Sequence, residues 1–225
     1  MSGFKESFYQ NFIEKDRWQY LLTGLENTLL AVLIGVAIGF LVAIIRASHD
    51  KNGSLKILNF ICRVYLTVIR GTPTMIQLMI TYYIIFASVN VSKIFVAVCA
   101  FGINSGAYVA EIVRSGIMSI DQGQFEAGRS LGFNYVQTMR LIILPQAFKN
   151  VLPALGNEMI VLLKETSISG YVGTMDLTKG GDIIRSTTYE AYLPLFGVAA
   201  IYLVIVMLMT AGVNRLERKL RTNER

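Results

Sequence analysis

Two stretches of this chain, about Leu21 to Ile45 and about Leu193 to Val213, run for twenty residues or more each and are dominated by apolar side chains. A hydrocarbon core about 30 Å thick is crossed by roughly 20 apolar residues in a helix. In lipid every backbone N–H and C=O must be bonded within the protein, which leaves helices and closed barrels as the spanning structures. The lengths here fit helices. Three further segments qualify. Thr74 to Val89 is short for a span, so the amphipathic stretch Leu55–Ile69 continues it, with a break near Gly71 and Pro73. The others are about Ile94 to Val113 and about Val151 to Val172, the latter the least apolar of the five. The hydrophobic fraction of 53% and the mean hydropathy of +0.51 come from these blocks and not from an even spread. The sequence thus predicts an all-α membrane protein with five transmembrane helices, at about 21–45, 55–89, 94–113, 151–172 and 193–213. They form a single domain over residues 1–225.

Five spans put the termini on opposite sides of the bilayer, and charge selects which. Fourteen of the 21 lysines and arginines, among them Arg46, Arg63, Arg129 and Arg215, fall between spans one and two, between three and four, or after five. Six, including Lys5 and Lys179, fall on the other side, and Lys164 lies within the fourth span. The positive-inside rule places the N-terminus outside and the C-terminus in the cytoplasm. The net charge of +6 is explained by this asymmetry, and a nucleic-acid partner is not expected. Cys62 and Cys99 sit in or beside apolar segments at no metal-ligand spacing, and the lone His49 belongs to a charged loop. No phosphate cradle of the Gly-x-x-x-x-Gly-Lys-Ser/Thr type and no catalytic constellation can be assembled. The chain is therefore not expected to be an enzyme, and no metal site is predicted.

Residues of about 120–146, between spans three and four, lack a spanning pattern. Within them, Glu126-Ala127-Gly128-Arg129-Ser130-Leu131-Gly132 reads as a polar helix held at the membrane surface. Ala127, Gly128, Ser130 and Gly132 give it a smooth face that another protein's groove could approach closely. A plainer account is an amphipathic helix resting on lipid headgroups through Leu131, Phe133, Met139, Leu141 and Ile142. The spacing decides between them. Glu-Ala-Gly, three residues, Gly132, nine residues, Ile142, one residue and Leu144-Pro145 resembles the "EAA" loop of ATP-binding-cassette (ABC) importer permeases, with Gly128 as the departure from the motif's third residue, alanine. Other phrases resemble the polar-amino-acid branch of that family. They are Arg70-Gly71-Thr72-Pro73 with Gln77-Leu78, Asn104-Ser105 with Ala107 to Arg114, Pro153 to Glu158, Leu163 to Ser167, and the Arg215-Leu216-Glu217-Arg218 tail.

The resemblance implies a type I ABC importer permease in a bacterial inner membrane. Its cytoplasmic coupling helix, carrying Glu126, Ala127, Gly128 and Gly132, would dock into a separate ATP-binding subunit. ATP and magnesium would be bound by that partner, with no cofactor in this chain. A second permease subunit, identical or similar, would complete the pathway, and an extracytoplasmic solute-binding protein would deliver an amino acid.

The polar residues of span four bear most on the substrate. An ionisable group in hydrocarbon normally faces a cavity or a partner. Glu158, Leu162 and Glu165 lie at i, i+4 and i+7, which puts both carboxylates on one helical stripe. Glu158, with Asn157 beside it, is the leading candidate, since a carboxylate suits an α-ammonium or a cationic side chain. Asn104 and Ser105 of span three could add neutral hydrogen bonds, and Asp182, before span five, is a further candidate. The rival reading is a secondary transporter that uses these carboxylates as a proton relay.

Overall fold

A computed structural model describes residues 2–27, 30, 33 and 56–222. The described residues are helical with no strand among them. The first predicted span lies for the most part outside the described residues, which hold 21–27, 30 and 33 of it. A short helix α1 (Ser2–Phe8) runs into a π turn at Tyr9–Ile13. Residues 18–27 are helical and are termed α2. Helix α3 (Lys56–Gly71) ends where Pro73 removes a backbone donor, and α4 (Thr74–Ile80) resumes with a π turn at Thr81–Ile85. The long α5 (Lys93–Met118) follows, N-capped by the Ser92 hydroxyl, which accepts from the Phe95 N–H at 3.2 Å. After α6 (Gln122–Ser130) and α7 (Tyr135–Thr138), a π turn at Met139–Ile143 leads into α8 (Leu144–Glu165). That turn sits where Pro145 cannot donate to a regular helical bond. A 3₁₀ turn (Thr166–Val172), α9 (Leu177–Thr188) and α10 (Tyr192–Thr222) complete the chain. Among the described residues, Lys93–Met118 and Tyr192–Leu220 are long and apolar enough to cross a membrane.

Helix α5 is central because small residues lie around much of its circumference. Ala97, Ala100, Ala107 and Ala110 are all buried, and with Gly102 and Gly106 they let α3, α4 and α8 approach closely. In lipid such contacts, more than apolar transfer, hold helices together. Phe101 fills the centre against Leu78 of α4 and Leu162 and Leu163 of α8. Two side-chain contacts, Ser105 to Glu158 and Asn150 to Ser119, fix α5 and α8 as antiparallel neighbours. Between them, Gly116 meets Val151 so closely that a methyl group would overlap the valine side chain.

The segment between the fourth and fifth predicted spans, read from sequence as a connection, is ordered as α9. Its start is set by Asp176, whose carboxylate accepts from the backbone N–H groups of Lys179 (3.0 Å) and Thr178 (3.3 Å). Burial pushes the Asp176 carboxyl up to about 6 despite those bonds. The N-terminal region clamps this turn. Asn27 donates to the Met175 carbonyl at 2.8 Å, and Phe12 and Leu21 pack with Leu177, Ile184 and Val198. Buried Asn11 ties the far end of α9 by donating to Glu190 (2.7 Å) and accepting from Thr188 (2.9 Å). A Cβ on Gly24 would fall inside the Asp176 backbone carbonyl and against the Leu177 nitrogen. All of these atoms are backbone, so nothing there can rotate away. Gly24→Ala is expected to destabilise the fold by about 3 kcal/mol, read as a lower midpoint of thermal unfolding in detergent.

Candidate functional site

Two polar regions stand out, one inside the helix assembly and one projecting from its end. The inner region begins at Pro73. The Gln77 side-chain amide crosses the break and donates to the carbonyls of Ile69 (2.7 Å) and Thr72 (3.0 Å), which the interrupted helix would otherwise leave without partners. Its carbonyl accepts from Asn104 Nδ2 at 3.0 Å, so the repaired break is latched to α5. Asn104 also reaches the Thr74 hydroxyl at 3.4 Å, and Thr74 in turn donates to Glu165 at 3.4 Å. One residue along, Ser105 donates to Glu158 Oε1 at 3.2 Å. Asn104 and Ser105 are fully buried, and both carboxylates are partly buried. Glu158 lies roughly four turns into α8. Asn104 Oδ1 is buried with no hydrogen-bond partner among the described residues. A buried acceptor left unpaired costs about 1–3 kcal/mol, so this position favours a donor brought by something else.

The structure therefore brings together Asn104, Ser105 and Glu158, and adds Glu165, Thr74 and Gln77. Thr74 carries no signal in the sequence beyond its place after Pro73. Asn157 is exposed on α8. Asp182 stands apart, on α9, lining a cavity of 340 Å³ with Ser167, Tyr171, Thr178 and Lys179. There it is already engaged, accepting from Arg185 (2.6 Å) and Lys179 (3.0 Å). These cations hold its carboxyl below the usual range.

The outer region is α6. Asp121 caps it, accepting from the Gly123 N–H at 2.6 Å. The helix closes in a Schellman turn, with Phe133 N–H bonding the Gly128 carbonyl (3.0 Å) and Gly132 N–H bonding Arg129 (2.9 Å). Gly132 takes φ +82°, a conformation that other L residues enter at a cost. An Asn134–Gln137 capping box then starts α7. Between these caps α6 is exposed along its length apart from Phe125 and Gly128. Glu126, Ala127, Arg129 and Ser130 thus face outward, while Gly128 is the residue on which the helix rests. A Cβ there would lie 2.6 Å from Thr138 Cγ2 and 2.8 Å from its hydroxyl. Glycine at this motif position, where the family pattern has alanine, fits the buried Thr138 beneath it.

Residues 35–222 match the family described as "Binding-protein-dependent transport system inner membrane component". A Rickettsia typhi protein described as a glutamine transport system permease, GlnP, is 40% identical over 207 residues, 90% of this chain and 91% of that protein. The arginine transport system permease protein ArtQ of Bacillus subtilis is 38% identical over 207 residues, 91% and 94% of the two chains. A crystal structure of an amino acid ABC transporter with histidines superposes with a TM-score of 0.82 at 41% identity, covering 92% of this chain and 98% of that one. The chain belongs to the family of binding-protein-dependent transport system inner membrane components, the permease subunits of ABC importers.

Proposed function

We propose that this permease carries polar, cationic amino acids into the cell through a pathway beside the α5–α8 contact, with Glu158 receiving the positive charge. The observation that supports this most is the pair of partly buried carboxylates, Glu158 and Glu165, reached by Ser105 and Thr74 within the helix assembly. Acidic groups kept at such a depth favour a cationic partner. A glutamine side chain, as in the names of several relatives, would need neutral donors and acceptors instead. Asn104 and Gln77 supply some, so arginine or lysine is favoured by charge and not by shape.

Five spans enclose too little volume for a pathway with two gates, so a second permease subunit completes it. Cytoplasmic ATP-binding subunits take the exposed face of α6, through Glu126, Ala127 and their neighbours up to the Gly132 turn. An extracytoplasmic binding protein delivers the amino acid to the α9 side, and the termini lie as the charge asymmetry predicts. ATP closes the ATPase pair, α6 moves with it, and the pathway opens outward; hydrolysis returns it. Reconstituted vesicles test this. Uptake of labelled arginine is expected to require ATP on the α6 side and binding protein on the other. Uptake driven by a proton gradient with no ATPase present would instead establish a secondary transporter.

A further inference from the structure

Six of the first twenty residues are aromatic, Phe4, Phe8, Tyr9, Phe12, Trp18 and Tyr20, against 11% for the whole chain. Of these six only Phe12 is buried. On α1, Phe4 and Phe8 lie at i and i+4 along one stripe and are 65% and 45% exposed. Lys5 and Glu6 fall on the other side of the same helix, about 100° and 200° round from Phe4 at 3.6 residues per turn. The segment is thus two-faced, and its aromatic face is uncovered.

Its depth is set by contacts with α10, which among the described residues is long and apolar enough to cross a membrane. Phe12 sits on Gly197, where a Cβ would lie 2.8 Å from the phenyl Cζ. Gly197 is about 8 Å along α10 from Tyr192, its first residue. Asn11 bonds Glu190 and Thr188, just ahead of that helix. At the other end of the segment, Leu21 packs with Val198 of α10. Residues 12–21 therefore run between two fixed points at the same level. Buried Arg17 donates to the Gln10 carbonyl and closes the chain between them into a turn. The Phe8 ring lies 5.1 Å from the Phe12 ring, so α1 starts from this level too.

Helix α10 carries matching rings there. Tyr192 and Phe196 are stacked with centroids 6.5 Å apart, and both are exposed. Aromatic side chains gather at the membrane–water boundary, because one end of such a residue suits lipid and the other suits water. A helix with an aromatic face and a charged face lies in the plane of that boundary.

We propose that α1 is an interfacial anchor whose partner is the lipid surface at the Tyr192 end of α10, with Phe4 and Phe8 in the acyl layer and Lys5 and Glu6 toward water. Through Asn11 and Phe12 the anchor holds the far end of α9 and the start of α10 at one depth. The inference needs a bilayer around α10 and no part of the substrate reading.

Tryptophan fluorescence of the full chain in phosphatidylcholine vesicles tests it, since Trp18 is the single tryptophan. Trp18→Phe combined with Phe4→Trp puts the one indole on α1 at a mostly exposed position, and Trp18→Phe with Phe8→Trp puts it one turn nearer the protein. An unfolding midpoint equal to that of wild type shows that each variant is intact. Both are expected to lose at least half their emission when the lipid carries bromine near the headgroup end of its acyl chain. They should lose less with bromine near the terminal methyl, and resist iodide in the water. Quenching by iodide with no effect of bromine would stand α1 in water and overturn the anchor. Protection from iodide and bromine alike would mean that a protein surface, such as a second copy of this chain, covers α1, which also overturns it. Wild type gives the same readout at Trp18, beside Leu21, with no substitution to fold.

Discussion

Glu158→Gln is expected to lower uptake of arginine or lysine by about tenfold to a hundredfold, while the complex with its ATPase still assembles. Glutamine keeps the size of the side chain and can still meet the Ser105 hydroxyl, which donates to Glu158 at 3.2 Å. What it loses is the charge that would pair with the cationic substrate. Hydrogen bonds to charged groups contribute about 1.5–3 kcal/mol, and each 1.4 kcal/mol is tenfold in affinity. Initial rates of labelled arginine uptake at several concentrations give the effect, and co-purification of the ATPase shows that the fold is retained. Unchanged arginine uptake would remove Glu158 from the pathway. A fall for arginine matched by an equal fall for glutamine would assign Glu158 to the α-ammonium that both share and not to the cationic side chain.

Gly128→Ala is the second change with a large expected effect, and it acts at the other end of the molecule. Adding one methyl restores the alanine of the family pattern, yet here it is expected to uncouple transport from hydrolysis. The methyl would press on Thr138 at 2.6–2.8 Å and on Ile142 at 3.2 Å. Overpacking of this kind costs about 1–3 kcal/mol, and the relief available is for α6 to tilt off its seat. Substrate-stimulated ATP hydrolysis should fall several-fold. Thr138→Ala should restore it, because that change opens the seat and removes a hydroxyl that is buried with no hydrogen-bond partner among the described residues. The double-mutant cycle separates this from a general loss of stability. If Thr138→Ala fails to rescue, the seating of Gly128 is not what limits coupling.

How far the sequence carried the account differs from element to element. The break before α4 was legible, because Pro73 cannot donate and the residue before a proline avoids helical angles. The turn after α6 was legible for a similar reason, since Gly132 takes a left-handed conformation that glycine enters freely. These are local rules. Helix α9 was not read, although Asp176 is an ordinary N-cap, because Gly180 and Gly181 interrupt a helical pattern. Their reason is tertiary: a Cβ on Gly180 would lie 2.7 Å from the Tyr20 carbonyl oxygen, and one on Gly181 would strike Val198. The two cations that engage Asp182, Lys179 and Arg185, were not legible as its partners, because they lie one helical turn away on a helix that had not been foreseen. Ser105 meets Glu158 directly, while Asn104 meets Gln77 and Thr74 through a pairing of α4 with α5 that no periodicity reveals. The match of Gly128 to Thr138 across ten residues is of the same kind.

The measurement that bears most directly on the coupling role of α6 is retention of the ATP-binding subunit by the tagged permease in detergent. It is made with the natural chain and with residues 122–130 replaced by a glycine–serine linker of equal length. The account predicts that the natural chain retains the ATPase and that the replaced chain, inserted in the membrane and unfolding at a similar temperature, does not. Retention of the ATPase by the replaced chain, with hydrolysis still stimulated by substrate, would contradict it.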